Sequence, residues 1–296
     1  MSYIQNLYSS CSFFEWVYQK SVLSGFLHKI KQYYYYFHYK RLKQKQRKET
    51  EKRLNGWIDE RYIRLKEYKD KYKGKRCFIT CTGPSLTIAD LEMLKNEYVF
   101  GMNSICLIHD KTNWKPDFYG IQDSNVFNKI EKTLLSTDNG LVFAPYYYRE
   151  KCGTPESWVY FPISSAYHLY DRYFKGKFHS KFSDDCYATV YDGFTITYSI
   201  MQLAIYMGFD EIYLLGADCN YLGNHQHFIE TGHYNPEWDA KTAPDRLVAS
   251  YSEAKKYADA HGIKMFNATR GGCLELFPRV TLEDVLKINR KNKSAE

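Results

Sequence analysis

The chain has 296 residues, a formal net charge of +7, and 18% aromatic residues with 29 tyrosines among them. That length holds one good-sized domain plus an appendage, and no run approaches the roughly 18 uncharged apolar residues of a membrane-spanning helix. Cys11, Cys77, Cys81, Cys106, Cys152, Cys186, Cys219 and Cys273 form no CxxC pair and no zinc-like spacing. They are expected to be reduced, small hydrophobes of a cytoplasmic protein.

The charge is unevenly placed. Residues 1–76 carry 19 Lys/Arg against 7 Asp/Glu, a net of +12, and the remainder has a net of −5. In the first segment Trp16, Leu23, Leu27, Ile30, Tyr34 and Phe37 fall at helical spacing, with Lys20, Lys29, Lys31, Lys40, Arg41, Lys43 and Lys45 between or after them. A second helical pattern runs through Leu54, Trp57, Ile58, Leu65, Tyr68 and Tyr72. The expectation for residues 1–75 is a basic, aromatic, amphipathic helical arm. Such an arm suits an anionic membrane surface at the inner face of the cell membrane, making the protein peripheral there. Packing on the domain or on a second copy, as a homo-oligomer, is the alternative. No nucleic-acid module accompanies the basic run, so nucleic acid is not an expected partner.

From residue 76 onward strand and helix patterns alternate. An apolar run, 76–81, stops at Thr82-Gly83-Pro84-Ser85, and a helical pattern follows near 87–95. Gly83 permits close backbone approach to a ligand, and Ser85 offers a hydroxyl beside free amides, where an anion is favoured. Strands are predicted at 98–100, 117–121, 140–144, 211–215 and 263–266, and helices at 195–207 and 251–261. Residues 146–190 read as irregular. Residues 287–296 read as a polar tail. This alternation predicts an α/β, Rossmann-like, mostly parallel sheet with helices on both faces over residues 76–286. Ligands of such sheets sit at the carboxyl ends of the strands, and Thr82, Asn103, Asp123, Asp218 and Asn267 all follow strands directly.

Each of these residues also has a plain structural reading. Asp123 could cap a following helix, Asp218 and Asn103 could serve turns, and Arg270 beside Gly271-Gly272 could face a phosphate or carboxylate or only solvent. His225, His227 and His233 lie within nine residues. They match no standard zinc pattern, and no metal site is assigned to them.

Three segments carry a family resemblance: Thr82-Gly83-Pro84-Ser85-Leu86, Gly101-Met102-Asn103, and Gly208-Phe209-Asp210-Glu211-Ile212-Tyr213-Leu214-Leu215-Gly216-Ala217-Asp218. They resemble the bacterial sialyltransferases, the motility-associated flagellin glycosyltransferases and the 6-hydroxymethylpterin pyrophosphokinase-like proteins. Asn267-Ala268-Thr269-Arg270-Gly271-Gly272 is more similar to the latter two. The resemblance implies a glycosyltransferase that moves a nonulosonic (sialic-type) acid from a CMP donor to a bacterial surface glycan or glycolipid, as in capsule or lipopolysaccharide synthesis. It implies inversion and no required cofactor. It assigns Thr82, Gly83, Pro84, Ser85, Asn103, Asp123, Thr195 and Thr197 to nucleotide binding. Tyr221 would face the departing phosphate, and His227 or His233 would be the base, with Asp218 alongside. His227 is favoured through Asn224–Phe228. The enzymatic alternative is Mg-dependent diphosphate transfer from ATP to a pterin-like alcohol, with magnesium on Asp123 and Asp218. The non-enzymatic alternative is a membrane-surface adaptor.

Overall fold

The computed structural model describes residues 24–220, 227–232 and 236–293. The chain falls into two compact units, Met1–Trp57 with Ser164–Phe178, and Ile58–Ile163 with His179–Glu296.

In the first unit a long helix, α1 (Ser24–Leu54), packs on α5 (Ala166–Lys175). Tyr35 meets Phe174 with ring centroids 5.6 Å apart, Tyr36 meets Tyr170 edge-on at 5.4 Å, and Tyr39 stacks on Tyr173 at 6.3 Å. Gln46 Oε1 accepts bonds from the Ala166 amide (3.0 Å) and the Ser164 hydroxyl (3.3 Å). Part of the run Tyr33–Tyr36 is therefore the packed face of a helix pair. Among the described residues no helix is long and apolar enough to cross a membrane.

The second unit is built on a seven-stranded sheet. Its strands are β1 (Arg76–Thr80), β2 (Tyr98–Met102), β3 (Phe118–Gly120), β4 (Leu141–Pro145), β5 (Val159–Phe161), β6 (Glu211–Leu215) and β7 (Lys264–Asn267). Their order is β5-β4-β3-β2-β1-β6-β7, and every neighbouring pair is parallel. Strands buried on both faces read as continuous apolar runs, as Cys77–Phe78–Ile79 does here. The helices are α2 (Ile88–Met93), α3 (Ser124–Ser136), α4 (Tyr147–Cys152), α6 (Ile196–Tyr206), α7 (Pro236–Ala260) and α8 (Leu282–Lys293). Winding runs from β1 toward β5 and then reverses to β6 and β7. Right-handed crossovers in opposite directions lay helices on opposite faces. Phe100, Phe118, Phe143 and Phe209 pack together in the core.

Three expectations about elements differ from what is observed. The second helical pattern of the arm is not an α-helix beyond Leu54. Of its apolar residues only Leu65 and Tyr68 lie in the next element, a 3₁₀ segment, Glu60–Tyr68, which buries Tyr62 and Leu65 and packs on β5. Tyr72 stacks on Phe209 with centroids 4.9 Å apart, so the division falls at Trp57 rather than at residue 75. The stretch 146–190 is not irregular, because it holds α4, β5 and α5. Residues 287–293, read as a polar tail, continue α8.

Candidate functional site

The direction of winding changes at β1, whose neighbours are β2 on one side and β6 on the other. β1 and β2 are paired in parallel as far as Ile79–Phe100, so Thr82 and Asn103 follow the same end of neighbouring strands. Extending the register Thr80–Leu215 by three residues sets Gly83 opposite Asp218. Four of the sequence-predicted residues thus follow strands at one end of the sheet.

The turn after β1 is clasped by the turn after β6. The Gly83 amide donates to the Gly216 carbonyl (2.9 Å). The Ser85 hydroxyl and amide both donate to Asp218 Oδ2, at 2.8 and 3.3 Å. A Cβ on Gly83 would lie 2.0 Å from Asp218 Oδ2 and 2.4 Å from the Gly216 oxygen. The glycine is required by the chain's own closeness at this turn. Nor does a helix start at Ser85. The cap is Thr87, which exchanges bonds with Asp90, and α2 begins at Ile88. Pro84 lies in the turn, short of the first helical residue.

Asp218 is also held from behind. Its carbonyl accepts the Cys273 amide at 2.7 Å, and a Cβ on Gly272 would stand 2.6 Å from that oxygen. Thr269 Oγ1 accepts the Ala217 amide (2.9 Å), and Asn267 Oδ1 accepts the Thr269 amide (3.0 Å). The Asn267–Gly272 motif is therefore a loop that wraps the Asp218 turn. Arg279 staples it through the carbonyls of Thr269, Gly271 and Gly272. Arg270 does not face an open anion site. Its guanidinium is bonded to Asp90 (2.8 Å) and to Glu283. These bonds raise the Arg270 pKa and lower that of Glu283.

Asn103 differs from its neighbours. It holds φ +50°, a left-handed conformation that Asn tolerates better than most residues. Its carbonyl accepts from the Tyr119 hydroxyl. Its side-chain Oδ1 is buried with no partner. A buried acceptor without a bond is costly and calls for an explanation.

The threonines of α6 divide. Thr195 caps the helix by accepting the Thr197 amide (3.3 Å). Thr197 is buried, its hydroxyl against Met102 Sδ (3.4 Å) and Cys81 Sγ (3.6 Å). Asp123 caps α3 through the amides of Asn125 (2.7 Å) and Val126 (3.4 Å). Beside it lies a polar network unforeseen from the sequence. Gln122 Nε2 donates to Asp192 Oδ1 (3.1 Å), Ser199 Oγ donates to Gln122 Oε1 (2.6 Å), and the Tyr147 hydroxyl donates to the Gln122 carbonyl. Its signal was Gln122 directly after a strand and Asp192 before a glycine.

His227 is tied to this end of the sheet. Its amide donates to Glu230 Oε1 (2.8 Å), and the next amide, of Phe228, donates to the Thr82 carbonyl (2.8 Å). Lys129 of α3 donates to the carbonyls of Thr231 (2.7 Å) and Gly232 (3.0 Å). The loop 227–232 is thereby fastened between the β1 turn and α3. Tyr221, His225 and His233 lie outside the described residues.

Burial pushes the Cys81 and Cys219 thiols up to about 12, so both are neutral at neutral pH and neither is an activated nucleophile. The two carboxylates considered for magnesium are separately engaged, Asp123 by helix amides and Asp218 by Ser85. Among the described residues no group of three or more His, Cys, Asp or Glu is placed to hold a metal ion.

With this geometry in view, the family described as 6-hydroxymethylpterin diphosphokinase MptE-like matches residues 58–224. That is more than half of the chain, and the chain belongs to this family. No curated protein matches it. Among solved structures, the MAf glycosyltransferase from Magnetospirillum magneticum AMB-1 aligns at 16% identity and TM-score 0.42, over 80% of this chain and 41% of its own. This chain therefore spans less than half the length of that protein. The Campylobacter jejuni sialyltransferase CstII, in complex with the substrate analogue CMP-3FNeuAc, aligns at 16% identity and TM-score 0.42, over 70% of this chain and 86% of its own. The monofunctional α-2,3-sialyltransferase Cst-I of the same organism aligns at 16% identity and TM-score 0.43, over 70% and 81%.

Proposed function

We propose that this protein transfers a nonulosonic acid from a CMP donor to a hydroxyl of a bacterial surface glycan or glycolipid, without a required metal. The observation that carries the reading is the bond from the Phe228 amide to the Thr82 carbonyl. It seats the His227 loop on the β1 turn, and Asn103, whose side-chain oxygen is buried without a partner, follows the neighbouring strand β2. A transferase acting on an alcohol needs a base near its donor site, and an imidazole is the side chain best suited to that task near neutral pH.

In this reading Asn103 holds the nucleotide, and bond formation to its Oδ1 removes the cost of an orphaned acceptor. The acceptor oxygen attacks the anomeric carbon of the donor from the face opposite CMP, and its proton passes to His227. The bond from that carbon to the phosphate oxygen breaks, and its electron pair leaves with CMP. Tyr221, assigned by resemblance, meets the charge developing on the phosphate. His233 is the second candidate for the base.

Diphosphoryl transfer from ATP to a pterin-like alcohol is the second reading, favoured by the family's own description. It is placed second because a triphosphate brings more charge. Asp123, Asp218, Arg270 and Arg279 are each engaged by partners within the chain.

Thermal unfolding with CMP, CDP, UDP, GDP, AMP and ATP, each with and without magnesium, separates the readings, because a ligand of the folded state raises the midpoint. The expected result is a metal-independent rise with CMP, followed by turnover of a CMP-nonulosonate that falls at least about 100-fold in His227→Ala. A magnesium-dependent rise with ATP or AMP, and none with CMP, overturns it in favour of diphosphoryl transfer. Silence across the panel overturns both in favour of a non-catalytic adaptor.

A further inference from the structure

The function proposed above leaves the first unit unused. Within it, the packing of Tyr35, Tyr39 and Gln46 on α5 fixes the rotation of α1 about its axis. The residues left outward are therefore determined. Ile30, Tyr33, Tyr34 and Phe37 are exposed, Tyr33 at 66% and Phe37 at 55%. The same line of the helix, at steps of three and four residues, continues through Arg41, Lys45 and Lys48, all exposed. One face is thus aromatic in its first half and cationic in its second, over roughly 27 Å at 1.5 Å per residue.

We infer that this face docks on an anionic lipid bilayer, with the aromatic rings in the headgroup region and the cations on lipid phosphates. Charge selects this occupant. From Trp16 to Lys48 the sequence contains no acidic residue. A second copy closing over the face with its own would have to desolvate these cations, and that face offers no anion to answer them. A bilayer avoids that penalty, because long basic side chains keep their heads at the wet phosphate layer while their stems lie on apolar surface. Tyrosine has the matching character, an apolar ring with a polar tip. The helix lies on the surface and does not cross it.

The test uses the full-length chain in flotation with phosphatidylcholine vesicles, with and without about 30 mol% phosphatidylglycerol. The expected result is binding to the anionic vesicles that weakens as salt rises. Arg41→Glu with Lys45→Glu and Lys48→Glu should lower it at least about tenfold. Tyr33→Ser with Phe37→Ser should weaken binding at every salt concentration. Unfolding midpoints equal to wild type show that both variants fold. Wild type and variants binding alike overturns the inference. So does absence of vesicle binding, including the cases where the same substitutions abolish self-association or capture of RNA. None of these outcomes touches the nucleotide reading, which is judged by the thermal panel alone.

Discussion

A methyl group at position 83 would collide with the Asp218 carboxylate and the Gly216 carbonyl, both fixed by other bonds. Gly83→Ala is therefore expected to destabilise the fold by at least the roughly 1–3 kcal/mol of ordinary overpacking, read as a shifted urea midpoint. Asn103 behaves differently. Replacing it with Ala costs about 1–2 kcal/mol for a left-handed residue but removes a buried acceptor worth a similar amount. Asn103→Ala is expected to leave stability within about 1 kcal/mol of wild type while abolishing the CMP-induced rise in midpoint. An unchanged rise would remove Asn103 from the nucleotide site. These two residues mark what a sequence discloses at this scale. Both were visible as polar or glycine positions after apolar runs. That one serves the chain's own closure and the other stays unpaired depends on β6 and on Tyr119, contacts that no local pattern encodes.

Among the elements, the caps make separable claims. Asp123→Asn retains a good cap and Asp123→Ala does not. If Asp123 only caps α3, the Asn variant keeps full activity and stability, and the Ala variant loses about 1 kcal/mol. Loss of activity in the Asn variant, measured on folded protein, would restore Asp123 to the nucleotide site. The clamp of α2 and α8 by Arg270 sets a pH dependence. The Glu283 carboxyl is held below its ordinary 4.5 by Arg270, so its contribution is present above 4.5 and is lost as pH falls below it. Wild type is expected to lose stability more steeply than Arg270→Met between pH 4.5 and pH 3, by circular dichroism melts; parallel curves would contradict this. The parallel sheet was legible because its strands are buried on both faces and punctuated by glycine and polar residues. Residues 146–190 were not. Their elements are two to ten residues long, and their tyrosines serve packing on two separate units. The 3₁₀ segment Glu60–Tyr68 imitates an amphipathic helix in its spacing while burying only Tyr62 and Leu65.

At the scale of the molecule, two units with separate packing are expected to open separately. Amides of β1, β2 and β6 lie at the centre of the sheet and should exchange only on global unfolding. Those of α1, a single helix packed mainly by aromatic rings against α5, should exchange by a lower-energy opening. Native-state hydrogen exchange showing one common free energy would sink that division. The position of β1 has a consequence for how the protein is made. It is the first strand of the sheet to be synthesised, yet one of its neighbours, β6, follows only after the 130 residues that separate Thr80 from Glu211. At 5–20 residues per second a ribosome takes roughly 7 to 26 seconds to cover that distance. Throughout it the inner edge of the strand carrying Cys77, Phe78 and Ile79 has no partner, an exposed template for pairing between nascent chains. A chain of this design has its aggregation hazard during translation, in the interval before β6 emerges to cover that edge.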